Sequence, residues 1–135
     1  MDIVSVSITC AGLLTAVLRL SRQIGLFVSN VRDAKKDMDL VSRELSSLSL
    51  SLNLLQGDSA KIDYPEGAKQ SLVEIIGNCV SIIGQMETLL ERFSSESLRG
   101  GAHWAFTGRD EMNKLRSTLE AYRAAIDVAL EMVTM

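Results

Sequence analysis

Apolar residues recur along this chain at alternating steps of three and four. Met38, Val41, Leu45, Leu48, Leu52 and Leu55 form one such seam. Ala68, Leu72, Ile75, Cys79, Ile82, Met86, Leu89 and Phe93 form a second, and Met112, Leu115, Leu119, Tyr122, Ile126, Ala129 and Val133 a third. Residues at this spacing stack on one face of an α-helix, so each seam predicts a helix with one buried side. The stretch SSLSLSLNLL also alternates with period two, as a strand would. The longer heptad around it and its charged flanks favour helix.

The first segment is different. Residues 3–18, IVSVSITCAGLLTAVL, hold no charge in sixteen positions. Ile3, Val4, Val6, Ile8, Leu13, Leu14, Val17 and Leu18 lie around most of a helix circumference, which predicts a helix surrounded by partners or placed in lipid. Small residues at Ser7, Ala11 and Thr15, and at Gly12 and Ala16, give a spacing that lets another helix approach closely. The pattern continues through Leu20, Ile24, Phe27, Val28 and Val31, with a bend expected near Gly25.

Between the seams, GDSAKIDYPE (57–66) and SESLRGGAHWAFT (95–107) read as loops, marked by Gly57, Pro65 and Gly100-Gly101. Thr107 followed by Asp110 resembles a capping box opening the last helix. Helices are thus expected over roughly 3–31, 34–56, 67–94 and 107–134. Three amphipathic helices and one nearly all-apolar helix predict an all-α four-helix bundle in a single domain over 1–135, with the first helix the most enclosed.

Three templates compete for the opening run. A secretory signal places positive charge before its apolar stretch, whereas here the basic residues follow it. A permanent membrane span needs about 20 apolar residues, and this run stops at Arg19. A bundle helix with surplus apolar surface fits best.

Composition agrees with helices: the chain has one proline, Pro65, and only 4% aromatic residues. At 135 residues it suits one domain with a real core. Its net charge of −3 argues against nucleic acid as a partner. That charge is uneven, with residues 1–36 at +3 (Arg19, Arg22, Arg32, Lys35 and Lys36 against Asp2 and Asp33) and residues 37–135 at −6. A basic flank beside an apolar segment suits an anionic membrane surface, although a solvated helix turn looks the same. The two cysteines, Cys10 and Cys79, sit in apolar helical stretches and read as buried thiols of a reducing compartment.

No catalytic constellation stands out. His103, the one histidine, lies beside Trp104 in a loop and reads as a packing residue. Glycine-rich phosphate loops, zinc-binding helices and Cys/His clusters are absent from the sequence. Glu87, Glu91, Asp110 and Glu111 are expected on solvated helix faces, and Trp104 with Phe106 is expected to cover one end of the bundle, with an interfacial aromatic anchor as the alternative. No enzyme activity and no cofactor are expected.

The start MDIVSVSITCAGLLTAVLRLSRQI, then NVRDAKKDMDLVSRELSSLSLSLNLL, and HWAF leading into the last helix together resemble the fungal HeLo-like N-terminal domains. These stand at the front of fungal NOD-like (STAND) receptors and related cell-death effectors. The most specific stretch is Val31-Arg32-Asp33-Ala34-Lys35-Lys36-Asp37 followed by Arg43-Glu44-Leu45-Ser46-Ser47-Leu48. The resemblance implies a bundle that executes or relays programmed cell death as the N-terminal part of a longer protein. It implies activation by homo-oligomerisation under an attached or partner NOD-like receptor or amyloid-signalling module. It also implies movement from the cytoplasm to the plasma membrane, where the N-terminal helix acts on anionic lipids. Carried onto this chain, the inserting segment is Ile3–Leu18, Arg19, Arg22, Lys35 and Lys36 are head-group contacts, and the small-residue ridge is Ser7, Ala11, Gly12, Thr15 and Ala16. The alternative is a helical adaptor that never meets lipid, and beyond it a plain structural bundle.

Overall fold

The computed structural model describes residues 3–31, 34–59, 65–94 and 104–134. Among them are four long helices and no strand: α1 (Ile3–Asn30), α2 (Ala34–Ser59), α3 (Glu66–Ser94) and α4 (Arg109–Thr134). A five-residue π-helical turn, Trp104–Gly108, leads into α4. The expected all-α four-helix bundle is therefore what forms.

Local signals place the helix ends. The Pro65 carbonyl accepts the Lys69 amide at 3.0 Å, making Pro65 the residue that begins α3. Acidic residues occupy the first turns of α2 (Asp37), α3 (Glu66) and α4 (Asp110, Glu111), where the helix dipole favours them. Two boundaries differ from expectation. Helix α2 runs through Gly57 to Ser59, and Thr107 sits inside the π-helical turn, so α4 starts at Arg109. Helix α1 continues unbroken through Gly25.

The helices form a square in which α1 packs on α2 and α3, and α4 packs on the same two. Thus α1 and α4 occupy one diagonal, and the consecutive helices α2 and α3 the other. Side-chain pairs give the directions. Ser7 near Gln56 sets α1 antiparallel to α2, while Arg19 with Glu87 and Phe27 beside the Trp104–Phe93 cluster set α1 parallel to α3.

All three seams meet in one core. Leu45, Leu48, Leu52 and Leu55 of α2, Leu72, Cys79, Met86 and Phe93 of α3, and Met112, Leu119 and Ile126 of α4 are buried there. At one end Trp104 is buried between Phe27 (ring centroids 4.9 Å apart) and Phe93 (5.8 Å), both edge-to-face. Its indole N–H donates to Asp37 Oδ2 at 2.9 Å, and the same oxygen accepts Arg109 Nε at 2.9 Å. Trp104 thus covers the bundle end as expected; the Phe106 side chain and His103 lie outside the described residues.

Candidate functional site

Helix α1 is not enclosed all round. Val6, Cys10, Leu13, Ala16, Val17, Leu20, Ile24 and Phe27 are buried, while Ile8, Leu18 and Leu26 are 65%, 61% and 67% exposed. Helix α1 packs more extensively on its neighbours than any other helix, as expected, yet it is covered on one side only, for a geometric reason. With α4 on the far diagonal, α1 has two neighbours, which cover only about half of its circumference.

The predicted site residues therefore separate into two sets. Leu13 and Val17 belong to the core with Val6, Leu14 is half-buried, and only Ile8 and Leu18 of the described inserting positions face solvent. The Ile3 and Val4 side chains lie outside the described residues. Of the small residues, Ala16 is buried and Ser7 half-buried, whereas Ala11, Gly12 and Thr15 lie on the exposed side. That side of α1 thus reads Ile8, Ala11, Gly12, Thr15, Leu18, Arg22 and Leu26. Its hydroxyls need no outside partner: Thr15 Oγ1 donates to the Ala11 carbonyl at 3.0 Å and Ser29 Oγ to the Gly25 carbonyl at 3.1 Å.

The basic residues separate as well. Arg19 is bidentate on Glu87 of α3, with Nε at 3.1 Å from Oε2 and Nη2 at 2.9 Å from Oε1. This contact raises the Arg19 pKa, chiefly through the hydrogen bond. Gln23 Nε2 donates to the Glu87 carbonyl at 2.9 Å on the same helix turn. Arg19 is thus a tie between α1 and α3, and Glu87 is a structural partner, where sequence reasoning expected a head-group contact and a solvated acid. Arg22, Lys35 and Lys36 are exposed. Lys35 and Lys36 line an open depression with Asp37, Asp39 and Arg109, so acids share their surroundings.

Periodicity also gave no hint of a polar cluster between α2 and α4. Glu44, only 7% exposed, accepts Arg123 Nε at 2.6 Å and Nη2 at 3.3 Å. Arg123 Nη1 reaches Asp127 Oδ2 at 3.1 Å, and Ser51 donates to Asp127 Oδ1. The Arg123 pKa is raised, first by the hydrogen bond to Glu44. Both cysteines are free, buried thiols. Burial pushes Cys10 up to about 11 and Cys79 to about 12, the latter with help from the Glu44 charge.

By length and composition, α1 (Val6–Asn30, mean hydropathy 1.3) and α3 (Glu66–Ser94, 1.2) could each cross a membrane, a test that core helices of soluble proteins also pass. The charge-free run is sixteen residues, but the apolar window extends past Arg19 and Arg22 because both are diluted by Leu20, Ile24 and Phe27.

A helical bundle with one apolar helix left half bare is the class of domain that this arrangement defines. The chain belongs to the family described as pigment biosynthesis cluster protein PigL N-terminal, whose profile matches residues 1–135. That family is a fungal pigment-cluster N-terminal domain related to the HeLo-like domains. No curated protein and no solved structure gives a significant match.

Proposed function

We propose that this domain executes or relays cell death in a fungal NOD-like system, is activated by oligomerisation, and acts on membranes through α1. The observation that carries the reading is the bare stripe of α1, where Ile8, Leu18 and Leu26 stand exposed beside Arg22. An apolar helix face with a cation and internally satisfied hydroxyls suits an anionic lipid surface.

The inner face of α1 sets the energetic condition. Val6, Leu13, Val17, Leu20, Ile24 and Phe27 are buried, and at about 1.5–3 kcal/mol each they contribute roughly 9–18 kcal/mol. That is as large as the whole stability of a typical domain, about 5–15 kcal/mol. The exposed Arg19–Glu87 tie adds little, because water screens it. Release of α1 therefore requires lipid to replace the core, and oligomerisation would supply many helices to one patch of membrane. The same inner face favours the second reading, an adaptor whose α1 stays packed while the outer surface docks other proteins.

Leakage of dye from anionic vesicles decides between them. The 135-residue protein is expected to cause leakage, and Leu18→Glu, which leaves the core untouched, is expected to abolish it. Leakage unchanged by Leu18→Glu, or absent at every protein concentration, overturns the membrane reading.

A further inference from the structure

We infer that the α1/α3 face is a homodimer interface, meeting a second copy of this chain across a two-fold axis parallel to the helices. Because α1 and α3 are parallel neighbours, the contacts of Arg19 and Gln23 with Glu87 set their levels: a residue of α1 lies beside the α3 residue about 64–68 positions later. By helical position Ile8, Gly12, Thr15 and Leu26 of α1 share this outer face with Gly77, Val80, Gly84 and Glu91 of α3. Arg22 stands at its edge.

A two-fold axis along the bundle lays α1 of one copy on α3 of the other at the same level. The levels then match in size and in charge. To within about one helical turn, Ile8 falls opposite Gly77, Val80 opposite Gly12, and Arg22 opposite Glu91. Ile8 and Val80 are 65% and 40% exposed, so both are free to act as knobs. A Cβ built on Gly12, Gly77 or Gly84 meets nothing within 4 Å, so packing within one chain does not require these glycines. Each costs its helix about 0.5–1 kcal/mol relative to alanine, a cost that close approach of a second helix would offset. The one charge pair within the face, Arg19–Glu87, is already neutralised. A 28-residue helix is about 42 Å long and a two-helix face about 20 Å wide, giving roughly 800 Å² per copy, the size of a standard stable interface.

Sedimentation in lipid-free buffer tests this directly. The wild-type chain is expected to dimerise, and Arg22→Glu or Glu91→Arg to weaken the dimer about tenfold, since each reversal acts twice across the axis. The double swap Arg22→Glu/Glu91→Arg is expected to restore it. Gly77→Ala is expected to raise the melting temperature of the monomer while weakening the dimer, opposite signs that a general folding defect does not produce. A wild-type chain that stays monomeric up to about 1 mM, or a double swap that fails to restore association, overturns the proposal. So does a monomer whose Arg22→Glu variant loses only vesicle binding, which would assign the face to lipid. Leu18 lies on the α2 side of α1, outside this face, so the leakage variant and the dimer variants fail independently.

Discussion

Replacing Gly108 by alanine should destabilise the bundle although nothing polar is lost at the substituted residue. A Cβ at this position would lie 2.4 Å from Trp104 Cε3 and 2.9 Å from Phe93 Cε2, distances that real Cβ atoms do not show. The indole has nowhere to retreat, because Phe27 and Phe93 pack edge-to-face on it and its N–H is bonded to Asp37. Moving the ring by an ångström breaks that charged hydrogen bond, at about 1.5–3 kcal/mol. It also disturbs one aromatic contact, at about 0.5–1.5 kcal/mol. Higher helix propensity of alanine returns about 1 kcal/mol, leaving a net loss near 2 kcal/mol. For a domain of this length that lowers the melting temperature by about 8 °C. Thermal unfolding followed by circular dichroism measures the loss. Trp104 is the only tryptophan, so its emission reports the displacement directly as a red shift. Gly25→Ala, in open space on α1 and outside the proposed dimer face, serves as the control and should raise the melting temperature by a few degrees, by about 0.5–1 kcal/mol. A Gly108→Ala protein as stable as wild type with unchanged emission would refute the packing account.

Arg123→Met should cost about 3 kcal/mol in denaturant unfolding, because it strands the buried Glu44 carboxylate without a cation. Glu44→Gln/Arg123→Met should recover much of that loss, and a double variant no better than the single one would count against the pairing. Stability should fall as pH rises above 9: the folded thiols stay protonated to about 11 and about 12, so deprotonation near the ordinary value favours the unfolded chain. Cys10→Ala/Cys79→Ala should flatten that alkaline slope in melting temperatures taken from pH 8 to 10.5. Cys10 should resist thiol reagents in buffer and become reactive on anionic vesicles if α1 leaves the bundle, and protection maintained during leakage would show α1 acting in place.

The helices were legible in the sequence because heptads such as Leu45–Leu48–Leu52–Leu55 can be satisfied only by a helix with one covered side. The covering itself was not. Ile8, Leu18 and Leu26 are as apolar as Leu13 and Leu20, and only the diagonal placement of α4 decides which of them meet solvent. Polar pairs escaped for a related reason. Arg19 finds Glu87 and Arg123 finds Glu44 across 68 and 79 residues of chain, and no local spacing announces such partners. The π-helical turn was hidden too, since Thr107 and Asp110 imitate a cap while the helix start is governed by how Trp104 seats over Gly108.

Helix α1 thus answers two demands with two faces. Its inner face supplies six large side chains to the core and makes spontaneous release prohibitively costly. Its outer face carries exposed apolar residues whose burial contributes nothing to the monomer, together with a mid-helix glycine at position 12 that nothing inside the monomer requires. A purely structural bundle gains solubility and helix stability by replacing Ile8, Leu18 and Leu26 with charged residues and Gly12 with alanine. Both proposals account for the retention of surface that weakens the isolated domain. The two-sided face of Ile8, Gly12, Gly77 and Val80 fits another protein helix, whereas Leu18, outside that face, fits a surface that needs no matching shape. Under the two proposals together, association on one side and lipid on the other act jointly, and dimerisation would set the number and direction of α1 helices brought to the membrane.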